Sequence, residues 1–496
     1  MKICQILFAS CSLLCLGACA VAPQLMTQSE RTAAIDANVL ELNVNNTHPL
    51  RNVTLSEAVA RAVLHNHDYR SQQLVSALEK TQVDLSNWSM MPEVLASAGY
   101  KYRNPENLTT SRDSAGSVST NSSLSEEKSR RVADLMFSWN LLDFGMSYYR
   151  AQQQADKFLQ SRERNRRVRH QIVQDTVTAW YRAEANSRLQ FRIEPLMVRV
   201  RQALVASRAT ENSRAETPLV ALNYQRELLD MLQTLDALKK ELSGSEHVLA
   251  AIIGVNPGIA VTTGKADLAL IRPNLSTAQL ENVALQQRPD VQSALYQARI
   301  TETEARLALL SLIPVPTLQF GPAYDSNSYL VHNQWFGVSA QVAQSLMKPF
   351  RYGVVKASNE LREKLDREQT LALTAASLLQ VNLANIQLHV AQEALSTAEL
   401  QLDVALRINK QVLDATRNQQ QPEINLIRED MKLLLTQVRR DLSALEVQSA
   451  RVKLLVSIGY DLVPEDEALQ DPAELAKAMR LEISKLPQFG KTRKNG

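Results

Sequence analysis

The residues able to do chemistry in this 496-residue chain are sparse, and their spacing excludes more than it offers. His65 and His67 lie two apart, which turns their rings to different sides of a helix, so they cannot hold one metal ion together. His48, His170, His247, His332 and His389 are scattered, and no Ser/His/Asp set, phosphate loop or zinc pattern accompanies them. Arg162, Arg164, Arg166, Arg167 and Arg169 form a basic run, but Glu163 and Gln171 interleave it and no aromatic offers a stacking platform for bases. That run reads as a helix face, either solvated or paired with neighbouring helices. A net charge of +3 gives no field for nucleic acid. Neither catalysis nor a cofactor, a metal or a nucleic-acid partner is expected.

Thiol chemistry is confined to the N-terminus. Cys4, Cys11, Cys15 and Cys19 are the only cysteines, so no disulfide framework or Cys-based zinc site exists downstream. Lys2 precedes an apolar run, Ile6 to Leu16, too short to span a bilayer but suited to a signal-peptide core. It ends in Leu16-Gly17-Ala18-Cys19, which resembles a bacterial lipobox, where the leader is cut before a lipid-modified cysteine. Residues 1–18 are therefore expected to be a signal peptide and Cys19 an acylated N-terminus. Ala20 follows instead of the Asp that resemblance to inner-membrane-retained lipoproteins would require, which implies carriage to the outer membrane.

The elements downstream have an unusual pairing of periods. With only 14 glycines and 5% aromatics, helix should dominate. Residues 19–50 are polar without sustained period and read as a tether. Thr54 and Glu57 then form a capping-box arrangement that opens a helix running to about Asn87. Beyond Pro92, Val94, Ala96, Ala98, Tyr100 and Tyr102 alternate with polar residues. After a Ser/Thr/Asn-rich loop, Ala133, Leu135, Phe137, Trp139 and Leu141 alternate with Asp134, Ser138 and Asn140. This amphipathic strand hands over directly to a helical stretch in which 147–212, at ~1.5 Å per residue, extends about 100 Å. A turn near Arg214 to Pro218 leads to a returning helix with a seven-residue seam at Leu228, Leu235, Leu242 and Leu249.

The same programme then runs again. His67-Asp68 corresponds to Pro289-Asp290, Pro92 to Pro314 and Gly99 to Gly321, all offset by 222 positions. Phe350-Arg-Tyr-Gly353 stands where Asp143-Phe-Gly145 stood, seams recur at Val381, Leu388, Leu395 and Leu402 and at Met431, Val438, Leu445 and Val452, and Ile253-Gly254 and Ile458-Gly459 close the halves alike. The expected divisions are a first repeat at 51–258 (helix, β-hairpin 92–142, helical hairpin 146–253), a linker at 259–275 and a second repeat at 276–460 (helix, β-hairpin 314–346, helical hairpin 354–458). The tail at 461–496, charged and carrying Pro464, Pro472 and Pro487, reads as peripheral or disordered. The fold class is mainly α with membrane β. Four strands cannot close a membrane barrel, and an open edge in lipid leaves backbone groups unpaired, so three chains are expected to share a twelve-stranded barrel continued by an α-helical one. The aromatics Tyr100, Tyr102, Trp139, Phe144, Tyr324, Trp335 and Phe336 are expected near its interfaces. A soluble antiparallel sheet with one buried face is the bland alternative.

Leu55-Ser-Glu-Ala-Val59 followed by Asn66-His-Asp68, the exit Ser138-Trp-Asn-Leu-Leu-Asp-Phe-Gly145, and the duplicated plan resemble the TolC family of outer-membrane efflux proteins, particularly its lipoprotein branch, over about residues 50–460. The resemblance implies a homotrimeric channel-tunnel of outer-membrane lipid and periplasm. Its partners would be a periplasmic adaptor (membrane fusion) protein and an inner-membrane transporter, and its cargo drugs or other small toxic compounds. A type I protein-secretion exit and a periplasmic coiled-coil adaptor are the alternatives. The resemblance makes the turn after the second long helix the periplasmic gate, here Gln421, Pro422, Glu423, Asn425, Arg428 and Glu429. Glu423 and Glu429 are the candidate ring acids, and Asn425 and Arg428 stand about where the family often carries Asp. By the same analogy Arg214, Glu216 and Pro218 form an adaptor-docking turn. Asp143, Gly145, Tyr352 and Gly353 become joints where barrel meets tunnel, Gly145 lending the backbone freedom to turn.

Overall fold

The repeat read from the sequence reappears in the computed structural model as two copies of one run of elements. Described are residues 25–44, 49–213, 218–418, 423–464 and 470–486, apart from positions 111, 113, 115, 119, 120, 257, 260 and 269. The signal peptide and Cys19 lie outside them. Helix α1 (Gln28–Val44) and strand β1 (Leu50–Val53) come first. The first repeat is α2 (Leu55–His65), α3 (His67–Trp88), β2 (Glu93–Tyr102), a short ladder of β3 (Leu108–Thr109) with β4 (Ser123–Leu124), β5 (Ser129–Asn140), α4 (Leu141–Ser213), α5 (Pro218–Leu242) and α6 (Ser245–Ile252). Strand β6 (Val261–Thr263) precedes the second: α7 (Thr277–Gln287), α8 (Pro289–Leu310), β7 (Val315–Asp325), β8 (Gln334–Ala343), a 3-10 turn (Pro349–Arg351), α9 (Tyr352–Arg417) and α10 (Glu423–Ser457). Helix α11 (Pro472–Ser484) closes the described chain.

The long helices follow from the scarcity of breakers, Pro195 in α4 being one the helix accommodates, and from their seams. α4 has 73 residues, about 110 Å at 1.5 Å per residue, and α9 has 66. Leu228, Leu235, Leu249, Val381, Leu388, Met431, Val438 and Val452 are all buried, so the seven-residue rows are packing seams. A stretch of α9 is long and apolar enough to cross a bilayer by composition; one side of it, at Val381 and Leu388, is buried in the collar, while Leu379, Leu383, Ile386 and Val390 are exposed. Two cores result. One gathers Val53, Leu55, Val59, Trp180, Leu249, Leu388 and Leu454 into a collar around the middle of α4. The other joins Leu189, Ile193, Val200, Leu228, Leu235, Met431 and Val438 along the far halves of the two hairpins.

Two glycines close the halves for a steric reason. Gly254 and Gly459 both have φ of +75°, and a Cβ at Gly254 would lie 2.6 Å from the His65 carbonyl oxygen, one at Gly459 2.7 Å from the Gln287 carbonyl carbon. Each therefore seats the end of its hairpin on the end of a short helix, α2 or α7.

The structure corrects several expectations. The tether contains α1, started by a reciprocal pairing in which Thr27 N and Oγ1 donate to Glu30 while Glu30 N donates back to Thr27 Oγ1. The first helix is broken at Asn66, whose side chain caps α3 at Tyr69 N and donates to the Ile252 carbonyl. The linker supplies β6, which pairs in parallel with β1. The returning helix of the first hairpin ends at Leu242, because Gly244 adopts φ +83°; its counterpart α10 runs unbroken for 35 residues.

The tail is the largest correction. α11 presents Leu475, Ala476, Met479 and Ile483 to the collar, all buried, and Leu486 is fully enclosed. Each large side chain there is worth ~1.5–3 kcal/mol on burial, which outweighs the charge that made the segment look solvated. Just before it, Asp461 accepts from Arg166 Nε (2.9 Å) and Arg169 Nη2 (3.0 Å), with His170 Nε2 at 2.7 Å. The basic run on α4 is thus enclosed in part: Arg169 and His170 are buried beneath Asp461, while Arg162, Arg164 and Arg167 are exposed. Burial opposes charge on Asp461, but the His170 and Arg166 hydrogen bonds overcome it and hold its carboxyl far below the usual range. Burial pushes His170 down from its ordinary value and the neighbouring arginines add to this, against the pull of Asp461.

Candidate functional site

The four long strands form one antiparallel sheet in the order β2-β5-β7-β8, so the two hairpins join through β5 and β7. Registers carry complete rows across it. Val94, Phe137, Phe320 and Val338 stand opposite one another on one face, and Glu93, Ser138, Gln319 and Ser339 form a row on the other. Phe137 and Phe320 stack with centroids 5.4 Å apart. The first face continues with Ala96, Ala98, Tyr100, Ala133, Leu135, Trp139, Leu318, Tyr324, Phe336, Ala340 and Val342, many of them exposed; the second carries Ser97, Lys101, Asp134, Asn140 and Thr317. Trp335, expected among the interface aromatics, pairs with Ala323 and lies on the polar face. β2 and β8 each have one free edge among the described residues.

Gly321 sits where β7 crosses β5 most closely. A Cβ there would lie 1.9 Å from the Leu135 carbonyl oxygen, and the neighbouring Pro322 has no N–H to give β5. Gly99, its counterpart in the first repeat, leaves a Cβ 3.5 Å from Val132 Cγ2, an ordinary contact.

The junction residues behave differently from expectation. Asp143 and Gly145 belong to the first turn of α4, and Tyr352 and Gly353 to that of α9. The turn is made by Asn140, whose Oδ1 accepts from Leu142 N and Asp143 N while its Nδ2 donates to Asp143. Neither glycine has a positive φ or anything within 4 Å of a Cβ, so backbone freedom is not why they are there. Gly145→Ala is expected to leave the chain as stable or up to ~1 kcal/mol more so, read as an unchanged or raised Tm.

At the far end of the hairpins Gln421 and Pro422 lie outside the described residues, as do Arg214 and Glu216; Glu423 opens α10 and Pro218 opens α5. Asn425, Arg428 and Glu429 have separate surroundings within the chain. Asn425 is half-buried. Arg428 Nε lies 3.2 Å from Glu227 Oε2 on α5 and its guanidinium sits 5.6 Å from the Tyr224 ring centroid. Nε is not aimed along a hydrogen bond, so the contact is Coulombic and cation–π. Glu429 pairs with Lys432 on its own helix at 3.0 Å. Asp430 accepts from Arg199 Nη2 on α4 (2.9 Å) and Asn409 Nδ2 on α9 (2.7 Å). Arg192 reaches Gln437, and Arg188 reaches Asp441, further along the same seam. Sequence reasoning missed Tyr224, Glu227, Arg199 and Asp430, because only the packed register of the two hairpins brings opposite charges together.

The sequence matches no protein-family model, and no curated protein matches it either. Solved structures do match. The Campylobacter jejuni CmeC outer membrane channel superposes with a TM-score of 0.66 at 11% identity, covering 86% of this chain and 89% of that one. The Neisseria gonorrhoeae MtrE outer membrane channel in its open state gives 0.63 at 12%, covering 82% and 89%. The Vibrio cholerae outer membrane protein VceC gives 0.62 at 12%, covering 82% and 96%. Over more than four-fifths of its length this chain has the fold of the TolC-family outer-membrane channels.

Proposed function

We propose that three copies of this chain form an outer-membrane channel whose helices cross the periplasm, the exit duct of a tripartite pump for drugs or other small toxic compounds. The observation that carries this reading is a sheet with one apolar face, a second face that carries most of its polar side chains and, among the described residues, two free edges, joined directly to a helix of 73 residues and through a short segment with a 3-10 turn to one of 66. In a bilayer those edges require partners, and the β8 edge of one copy against the β2 edge of the next satisfies both. The exposed apolar residues Leu78, Leu85 and Trp88 on α3, which leads into β2, and Val354, Leu361 and Leu365 on α9, which follows β8, continue the same contact below the sheet. Cys19 would carry the lipid anchor, and the turn at 214–218 would meet the periplasmic adaptor that links the duct to an inner-membrane transporter. Native mass spectrometry in detergent is expected to give a trimer and planar bilayers discrete conductance; a stable monomer without conductance would refute the reading.

The gate in this reading is the pairing of the two hairpins near their tips. Arg428 with Glu227, and Asp430 with Arg199, tie α10 to α5 and α4. Each is a partly exposed pair worth ~0.5 kcal/mol, so losing one in all three copies shifts a closed–open equilibrium by about tenfold. Arg428→Ala is expected to raise open probability in planar bilayers by about that factor, while the trimer persists. An unchanged open probability would remove Arg428 from the gate.

A further inference from the structure

The apolar face of the sheet carries a single charged side chain among the described residues, and it stands at one end. Arg131 lies directly opposite Tyr100 on β2, beyond Ala133, with Tyr102 and Tyr324 on the same face. Its main chain is fixed, the N–H donating to Ser326 Oγ and the carbonyl accepting from Ser326 N. Its guanidinium is exposed and makes no ion pair or hydrogen bond within the described residues. Arg130, one residue earlier and on the opposite face, is by contrast neutralised by Asp325 at 3.1 Å and Glu126 at 3.3 Å. The chain therefore pairs the arginine on its polar face and leaves unpaired the one on its apolar face.

Height explains what could pair it. Trp139 and Arg131 bracket the apolar stretch of β5, eight residues apart along one face, which is ~27 Å along a strand and about 20 Å in height at the usual barrel tilt, close to the ~25 Å apolar band of an outer-membrane barrel. Resting on the reading of this face as lipid-facing, we propose that Arg131, flanked by the Tyr100 and Tyr102 rings, binds the phosphate of a phosphorylated outer-leaflet lipid headgroup. A guanidinium offers two parallel N–H donors to such a group, the tyrosines place their hydroxyls at the same level, and three copies supply three sites.

The test uses the full chain as a detergent-solubilised trimer, titrated with diphosphorylated lipid A and with the dephosphorylated lipid and followed by native mass spectrometry. Expected are up to three tightly held phosphorylated lipids, about tenfold weaker binding in Arg131→Gln, partial recovery in Arg131→Lys, and no displacement by inorganic phosphate. Equal binding by Arg131→Gln, equal binding of the dephosphorylated lipid, or displacement by inorganic phosphate would each overturn the proposal. Planar-bilayer conductance separates the two levels. Wild-type pores combined with indifferent lipid binding would end this proposal alone, whereas a protein that neither conducts nor retains lipid would end the membrane reading with it.

Discussion

Gly321→Val is expected to abolish heat-resistant trimers and conductance, whereas Gly99→Ala leaves both intact. The two glycines occupy equivalent places in the repeat, so composition and propensity do not separate them; clearance does. At Gly321 a Cβ meets a backbone oxygen at 1.9 Å, and backbone cannot rotate aside as a side chain can, so β5 and β7 must part or slip. A slip of one residue would exchange the Phe137 and Gln319 faces, placing polar side chains in the apolar row. The cost exceeds ~3 kcal/mol per copy, and because β5–β7 is the seam that joins the two hairpins, it is levied on the whole sheet. Semi-denaturing electrophoresis with and without heating reads the result; a Gly321→Val protein with normal trimers would mean that the strands at this crossing are further apart than described.

Asp461→Ala is the second large effect, and it acts through stability alone. Removing the carboxylate leaves Arg169 without its Asp461 partner and Arg166 with Glu163 alone; the Arg169 side chain is only 5% exposed. Fully buried pairs lose ~3–5 kcal/mol on such a change, and since the Asp461 side chain is 36% exposed, about 2–4 kcal/mol is the fitting range. The pH dependence has a definite sign. Asp461 is held below its ordinary 3.8 and His170 below its ordinary 6.5, so the folded protein binds fewer protons at both, and both contributions are full above the ordinary values and lost on acidification. Stability is expected to decline as pH falls below about 6.5 and more steeply below about 4. Asp461→Asn should flatten the lower part of that decline in thermal-melt series. A wild-type Tm independent of pH between 7 and 3 would contradict the arrangement.

What was legible in the sequence followed from periodicity. Alternation at Val94–Tyr102 and Ala133–Leu141, and the sevens at Leu228 and Val381, are imposed by geometry that repeats along one element. The offset that relates Gly99 to Gly321 shows duplication without any knowledge of contacts. What escaped depended on contacts between distant segments. Leu475, Met479 and Ile483 do carry a helical spacing, but flanking prolines and charge obscured it, and the collar that receives them is assembled from five other parts of the chain. The segment before the β-hairpin reads as one helix in each repeat, whereas the folded chain breaks it at Asn66 in the first and at Arg288 in the second. At the tips, the resemblance puts Arg428 about where the family often carries Asp; its partner Glu227 is some two hundred residues away, and only the packing of α5 and α10 against α4 brings them together.

The difference between the two returning helices has a mechanical consequence. One hairpin contains Pro195 in its outgoing helix and the left-handed Gly244 in its return; the other has an uninterrupted return. In the proposed trimer, interrupted and uninterrupted return helices would alternate around the ring. A ring so built would dilate with threefold rather than sixfold symmetry, its narrowest aperture opening as a rounded triangle before it becomes a circle.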